Sequence, residues 1–280
     1  MPTIDSNPHA PDHPTPRAEI GVIGGSGLYT LLEDATTVPV TTPYGDPSES
    51  LVIGTVGGRS VAFLPRHGQG HRYPAHRINY RANLWALRSV GVRQILGPCA
   101  VGSLRPELGP GSLVIPDQLV DRTSGRIQTY YDEGAVHLTF SDPYCSDGRQ
   151  TVVKVAGDDW NPVDGGTMVV IEGPRFSTRS ESRWYAEQGW SLVNMTGHPE
   201  AVLARELAMC YTAIALVTDL DAGLAEGQGV SQDEVFAAFG RNVERLRQLL
   251  FAVIPRLPAR RTCACAGALD GMQLPFALPD

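Results

Sequence analysis

No stretch of this 280-residue chain approaches the roughly 18 consecutive apolar residues that a membrane-spanning helix needs. Residues 1–17 also lack the apolar core of a signal peptide. Cysteine is sparse. Cys99, Cys145, Cys210, Cys263 and Cys265 are odd in number and spread over a long chain, which excludes a disulfide scaffold. These absences give the expectation of a soluble, reducing, cytoplasmic location. Runs of Lys or Arg are missing as well. Twenty-three basic against 30 acidic residues leave a net charge of −7 and a pI near 5.5, so the chain has no nucleic-acid footprint. Individual arginines can still hold the phosphate of a small ligand. The glycines follow no three-residue period, which excludes a collagen-like chain. Without an internal repeat or a mid-chain linker, a single α/β domain is the simplest organisation.

What the chain has in excess is glycine and proline, 30 and 22 residues, about a fifth of the total. The usual combined share is roughly 12%. With an ordinary hydrophobic content of 42%, this excess does not mean disorder throughout. It predicts sharp turns and backbone that approaches a ligand closely. Five prolines among polar residues mark 1–17 as a disordered tail, with the domain running over 18–280. Apolar stretches of strand length fall at 19–23, 50–54, 60–64, 93–97, 112–120, 167–172, 192–194 and 211–218. Helical periodicity falls at 78–90, 179–188, 199–209 and 232–257. Pro199 and Glu200 suit a helix start, and Ser231-x-x-Glu234 reads as a capping box. The last segment, 262–280, is apolar but irregular, and packs on its own chain or on a neighbouring subunit.

Six stretches carry chemistry, most of them where a strand ends. Gly24-Gly25-Ser26-Gly27 is a plausible phosphate cradle. It is not a dinucleotide fingerprint, because Thr30 stands where the third glycine belongs, and no Gly-Lys-Ser/Thr makes it a P-loop. Arg66-His67-Gly68 offers a guanidinium fork and an adjacent imidazole as anion donors. Gly97-Pro98-Cys99-Ala100-Val101-Gly102-Ser103 is a low-bulk turn. Ile171-Glu172-Gly173-Pro174-Arg175-Phe176-Ser177 and Asn194-Met195-Thr196-Gly197-His198-Pro199 follow. Asp219 and Asp221, two residues apart after an apolar strand, fall on one side and form an acid/base candidate. Cys263-Ala264-Cys265 lacks zinc spacing and has no second ligand pair nearby in sequence, so no metal is expected.

Taken in order, these stretches resemble the trimeric purine nucleoside phosphorylases, most closely the branch acting on S-methyl-5′-thioadenosine. The likeness spans about 20–278. It implies a three-layer α/β fold, a central mixed and partly barrel-like sheet flanked by helices. It also implies a pentosyltransferase of purine and methionine salvage in which inorganic phosphate is a co-substrate and no cofactor is used. Phosphate contacts then fall on Ser26, Arg66, His67, Cys99, Ala100 and Thr196. Met195 packs on ribose and purine, Ser177 stands at the pyrimidine edge, and Asp219 and Asp221 serve the base. Gln232 and Val235 line the 5′ pocket, which a neighbour's His137 and 276–278 tail close. The implied partners are a small nucleoside, phosphate and two further copies of the chain, with neither nucleic acid nor membrane. Relatives specific for 6-oxopurines carry Glu and Asn where this chain has Ser177 and Asp219, which favours a 6-amino base. A purine nucleoside or methylthioinosine phosphorylase is the nearest alternative, and a non-catalytic nucleotide-binding protein a more distant one. Three departures stand out: Cys99 for Thr, Gly197-His198 for Thr-Val, and Gln232 for an apolar residue.

Overall fold

The strands at the centre of the chain are apolar on both faces because helices cover both. The computed structural model describes residues 16–25, 32–222 and 230–279. In β1 (Ile20–Gly24), Ile20 and Val22 point to one core and Ile23 to the other. β4 (Arg59–Pro65) does the same with Val61 and Phe63 against Ala62 and Leu64. This is the period-two alternation of a strand doubled onto two apolar layers. Helices α1 (Tyr80–Ser89) and α4 (Gly197–Glu206) cover one face through Leu84, Leu87, Leu203 and Ala204. Helices α2 (Ser146–Trp160) and α5 (Gln232–Val253) cover the other through Val152, Leu246 and Leu250.

The remaining strands are β2 (Glu33–Val38), β3 (Leu51–Val56), β5 (Gln94–Ser103), β6 (Leu113–Ile115), β7 (Gln118–Arg122), β8 (Val163–Asp164), β9 (Thr167–Ile171), β10 (Leu192–Asn194) and β11 (Cys210–Leu220). They form one mixed sheet in the order β2-β3-β4-β1-β5-β10-β9-β7. β11 pairs with β5 and β6 in addition. Because residues 116–117 lead from β6 directly into β7, the path β5-β10-β9-β7/β6-β11 returns to β5 and closes a small barrel. The expected three-layer, partly barrel-like α/β fold is what the chain adopts. β5 is its hub, since it belongs to the open sheet at one end and to the barrel at the other. Helix α3 (Arg179–Glu187) packs Tyr185 against Val169 and Val193 outside the barrel.

Several elements differ from the sequence expectation. The strand at 112–120 splits, because Pro116 cannot donate to a ladder and Asp117 and Gln118 turn to the Gly166 carbonyl. Helix α2 was absent from the expectation. Its interior carries Gly148, Gly157 and four β-branched residues, all weak formers. It is held by tertiary packing close enough that a Cβ on Gly148 would lie within bonding distance of Thr212 Oγ1. Helix α5 ends at Val253 and only a single 3₁₀ turn, Ile254–Arg256, follows, since Pro255 removes the next donor. Ser231 caps α5 by accepting from the Glu234 amide.

The C-terminal segment packs on its own chain. Phe276 stacks on Tyr131 at 5.4 Å and tilts against Trp85 at 5.7 Å. The carbonyl of Pro279 accepts from Arg88 Nε. Among the described residues no helix is long and apolar enough to cross a membrane. The proline-rich segment at 1–15, with Ser26, lies outside the described residues.

Candidate active site

Four strand and helix ends meet at Arg66, which follows β4 and is only 3% exposed. Its Nε and Nη2 donate to the two carboxylate oxygens of Glu200 at 2.5 and 3.1 Å. Nη2 also reaches the Ile23 carbonyl of β1, and Nη1 the Pro98 carbonyl of β5, both at 3.0 Å. Burial works against the guanidinium charge, but the facing Glu200 carboxylate more than compensates and holds the arginine protonated. Glu200 itself is fully buried and takes a third bond from Tyr211 Oη at 2.5 Å. The sequence gives Glu200 only the role of an early helix acid; in the fold it is the counter-ion of Arg66. Four of the five guanidinium N–H groups are therefore spent on protein, leaving one on Nη1 for a ligand.

His67 corrects the expectation of an extra donor. Its Nδ1 lies 2.8 Å from the Tyr73 carbonyl, which can only accept, so Nδ1 carries the proton and Nε2 is an acceptor. Burial, the stacked ring of His71 at 3.9 Å and the charge of Arg66 hold its pKa down near 3. The ring is neutral at any physiological pH. Cys99, in the middle of β5, is pushed up to about 12 by burial, so it presents a thiol and not a thiolate. Asn194, at the end of β10, organises the next turn. Its Oδ1 accepts from the amides of Thr196 and Gly197 at 2.7 and 2.6 Å, and its Nδ2 donates to the Ala100 carbonyl. Arg66 and the Asn194–Thr196 turn thus hold the β5 backbone on either side of Cys99, at the Pro98 and Ala100 carbonyls, and His67 follows Arg66 directly.

The other end of β5 holds the acidic pair. A bulge in β11 at Thr218 sets Asp219 opposite Gly102. A Cβ at Gly102 would come within 3.1 Å of Asp219 Oδ1 and 3.3 Å of Asp221 Cβ, so both acids stand on the same side of that glycine. Oδ2 of Asp219 accepts from Thr218 Oγ1 at 2.7 Å, while its Oδ1 is buried with no hydrogen-bond partner. Burial, only partly offset by that hydroxyl and reinforced by Asp221, pushes the Asp219 carboxyl up to about 6. Asp221 is more deeply enclosed and accepts from Ser182 Oγ of α3 at 2.6 Å. Its pKa is raised by burial and moderated by Ser182 and Ser177. Ser177 Oγ is buried beside it and makes no hydrogen bond of ordinary geometry. The partnerless Asp219 oxygen is the usual mark of a place where a ligand completes the bonding.

Arg126, which sequence reading missed, clamps this end. With its side chain 3% exposed it bonds the carbonyls of Met195, His198 and Glu172 and the Glu172 carboxylate. Met195 packs its sulfur over Gly173, whose φ of +68° suits only glycine. His198, the unplaced ring of the sequence, is buried and bonds Gln128 Oε1 at 2.6 Å and Asp121 Oδ2 at 3.2 Å through Nε2. Burial lowers its pKa despite the Asp121 carboxylate. It fastens the turn before α4 and donates nothing to the cluster. A single Arg in a loop of mixed composition gives no sequence signal for the Arg126 role.

The 5′ candidates are placed less directly. Gln232 is exposed and Val235 half-buried at the start of α5. The α5 residue that reaches the cluster is Phe236, edge-on to His71 at 5.8 Å. His137 is exposed and shares a groove of about 620 Å³ with the segment 271–275. The tail residues beside His137 are therefore 271–275, because Phe276 is engaged with Trp85 and Tyr131. The expectation that Cys263 and Cys265 have no companion pair fails in three dimensions, since Cys145 and Cys210 lie against them.

Residues 19–255 match the phosphorylase superfamily. A purine nucleoside phosphorylase of Streptomyces coelicolor is 61% identical over 94% of this chain and 98% of its own. An S-methyl-5′-thioadenosine phosphorylase of Mycolicibacterium smegmatis is 59% identical over 93% of this chain and 99% of its own. The solved methylthioadenosine phosphorylase of Schistosoma mansoni in complex with adenine superimposes with a TM-score of 0.83 at 37% identity, covering 88% of this chain and 93% of that one. The chain belongs to the phosphorylase superfamily.

Proposed function

We propose that the chain cleaves 5′-methylthioadenosine with inorganic phosphate, giving adenine and 5-methylthioribose 1-phosphate, as a cytoplasmic homotrimer needing no cofactor. The domain on this reading is 18–280, since Ala18 is already buried and its amide bonds the Val90 carbonyl. The observation that carries the reading is Asp219, a buried carboxyl raised to about 6 with one oxygen unpartnered. Breaking the C1′–N9 bond leaves its electron pair on the purine while a phosphate oxygen bonds C1′. The neutral Asp219 carboxyl gives its proton to N7, and the phosphate charge beside C1′ stabilises the cationic ribose. Asp221, held by Ser182, and Ser177 position the base. Phosphate takes the remaining Arg66 Nη1–H, the Cys99 thiol and the Thr196 hydroxyl, with Ala100 beside it; Ser26, the further contact that the resemblance implies, lies outside the described residues. His67 Nε2 accepts a hydrogen bond from the hydroxyl of monohydrogen phosphate. The 61% identical purine nucleoside phosphorylase keeps a second substrate class in view. With its proton committed to N7, Asp219 nevertheless has only acceptor oxygens left for the 6-position, and these oppose O6 where they accept from N6–H, at about 1–3 kcal/mol. Methylthioadenosine and adenosine should therefore be cleaved about 5- to 150-fold better than methylthioinosine and inosine. The reverse order would assign the chain to 6-oxopurines.

Met195 lies over the ribose, with Gln232 and Val235 along the 5′ group, and His137 and the 271–275 segment of a neighbouring subunit close that side. An exposed histidine in a groove lined by its own tail and by neither Asp219 nor Asp221 supports donation in trans. Gln232→Val should then raise the preference for a 5′-methylthio over a 5′-hydroxyl substrate several-fold. If the two specificity constants move together, Gln232 is outside the pocket.

A further inference from the structure

Four of the five cysteines, far apart in sequence, meet at one point. The Sγ atoms of Cys145, Cys210, Cys263 and Cys265 all lie within 4.8 Å of one another; Cys145, Cys210 and Cys265 are buried and Cys263 is half-buried. Cys210 and Cys263 are 3.3 Å apart, and no disulfide joins any of them. They come from three different anchors. Cys145 is the N-cap of the 15-residue α2, Cys210 opens β11, and Cys263 and Cys265 flank the start of the 3₁₀ turn Ala264–Gly267. The Cys-x-Cys pair that looked inert in the sequence is half of a four-sulfur group.

We infer that this group is a closed structural site for a divalent zinc ion. Zinc–thiolate bonds of about 2.3 Å place tetrahedral sulfurs about 3.8 Å apart. The observed separations straddle that edge length, and four ligands leave no open position for substrate or water. Four thiolates around a dication carry two negative charges, and the surroundings answer them. Arg205 Nη2 points at Cys265 Sγ from 3.6 Å while its other donors hold the Thr139 and Asp142 carbonyls. The positive end of α2 faces Cys145. Cys210 opens β11 and Asp219 lies near its far end, so the four sulfurs are away from the acidic pair and the site is structural. It fastens the segment beginning at Cys263 to α2 and β11, and that segment continues into 271–275 beside His137 and Phe276 over Trp85. Zinc binding holds the C-terminal segment in register on the body.

The test is metal content on the intact full-length protein, expressed in zinc-supplemented medium and purified without chelator under mild reductant. One zinc per chain by elemental analysis is expected. The four thiols should resist a disulfide-exchange reagent, and in a parallel sample a mercurial that caps them should release one zinc per chain, detected with a metallochromic dye. Cys263→Ser with Cys265→Ser should lower zinc below one-tenth per chain, and so should the single change Cys145→Ser if either variant folds poorly. Stripping zinc from the wild type should lower its melting temperature, and added zinc chloride should restore it. An intact mass reduced by about 2 Da per bridge, with no zinc, would show two disulfides and overturn the proposal. Four freely reactive thiols with no zinc would overturn it equally.

Discussion

Asp219→Asn lowers kcat/KM for 5′-methylthioadenosine by about 10²- to 10⁴-fold, the span by which a positioned general acid contributes. The same substitution makes the protein more stable at pH 7. In the folded chain the Asp219 carboxyl titrates near 6 against an ordinary value of 3.8, because it is buried. The folded state thus binds this proton more tightly than the unfolded one. Its contribution is fully present below about pH 4 and is lost as pH rises through 6. Asparagine never ionises and escapes that loss, a gain of at most about 2–3 kcal/mol at neutral pH. Loss of activity with gain of stability is the signature of a group placed for chemistry and not for folding. In the wild-type free enzyme kcat/KM falls above about pH 6 as Asp219 ionises, and the variant lacks that limb. Inosine cleavage also improves relative to adenosine, since the amide can donate where the carboxylate cannot. A variant with an unchanged inosine-to-adenosine ratio and an unchanged pH profile would remove Asp219 from the base site.

Glu200→Ala acts in the opposite sense, through folding. It strands the Arg66 guanidinium in a fully buried position and takes the acceptor from Tyr211 Oη. Breaking a buried pair by removing one partner costs about 3–5 kcal/mol, which is a fall of about 6–20 °C in Tm for a chain of this size. Replacing both partners with apolar residues, Arg66→Met with Glu200→Leu, should recover much of that stability, because no buried charge is left uncompensated. It should not recover activity, because the one guanidinium N–H left for phosphate goes with Arg66. Melting curves at a fixed protein concentration, with phosphorolysis assayed alongside, separate the two roles. A Glu200→Ala protein that loses less than about 1 kcal/mol would show that the pair is not what holds β1, β4, β5 and α4 together.

These two residues show how much the sequence carried and where it stopped. The strands of the core were legible because their apolar character is continuous and ends in glycine turns. The acidic pair was legible because it follows the most apolar of them. Arg66 was legible as a donor, but not as a residue already committed to Glu200, whose partner is 134 positions away in sequence. His67 read as a donor from its type alone; only the Tyr73 carbonyl fixes its tautomer and makes Nε2 an acceptor. Arg126 was invisible, since a buried arginine that bonds backbone carbonyls leaves no pattern. Helix α2 was invisible for a different reason: its stability lies in contacts with β11 and β6 and not in its own residues. The four cysteines read as scattered because the fold, and no local spacing, assembles them.

In the proposed reaction phosphate, and not water, is the attacking group. The decisive measurement incubates the protein with 5′-methylthioadenosine in buffers with and without inorganic phosphate and follows both adenine and the sugar product. Adenine and 5-methylthioribose 1-phosphate in equal amounts with phosphate, and neither without it, is the predicted result. Adenine and free 5-methylthioribose in phosphate-free buffer would make the chain a hydrolase and contradict the account.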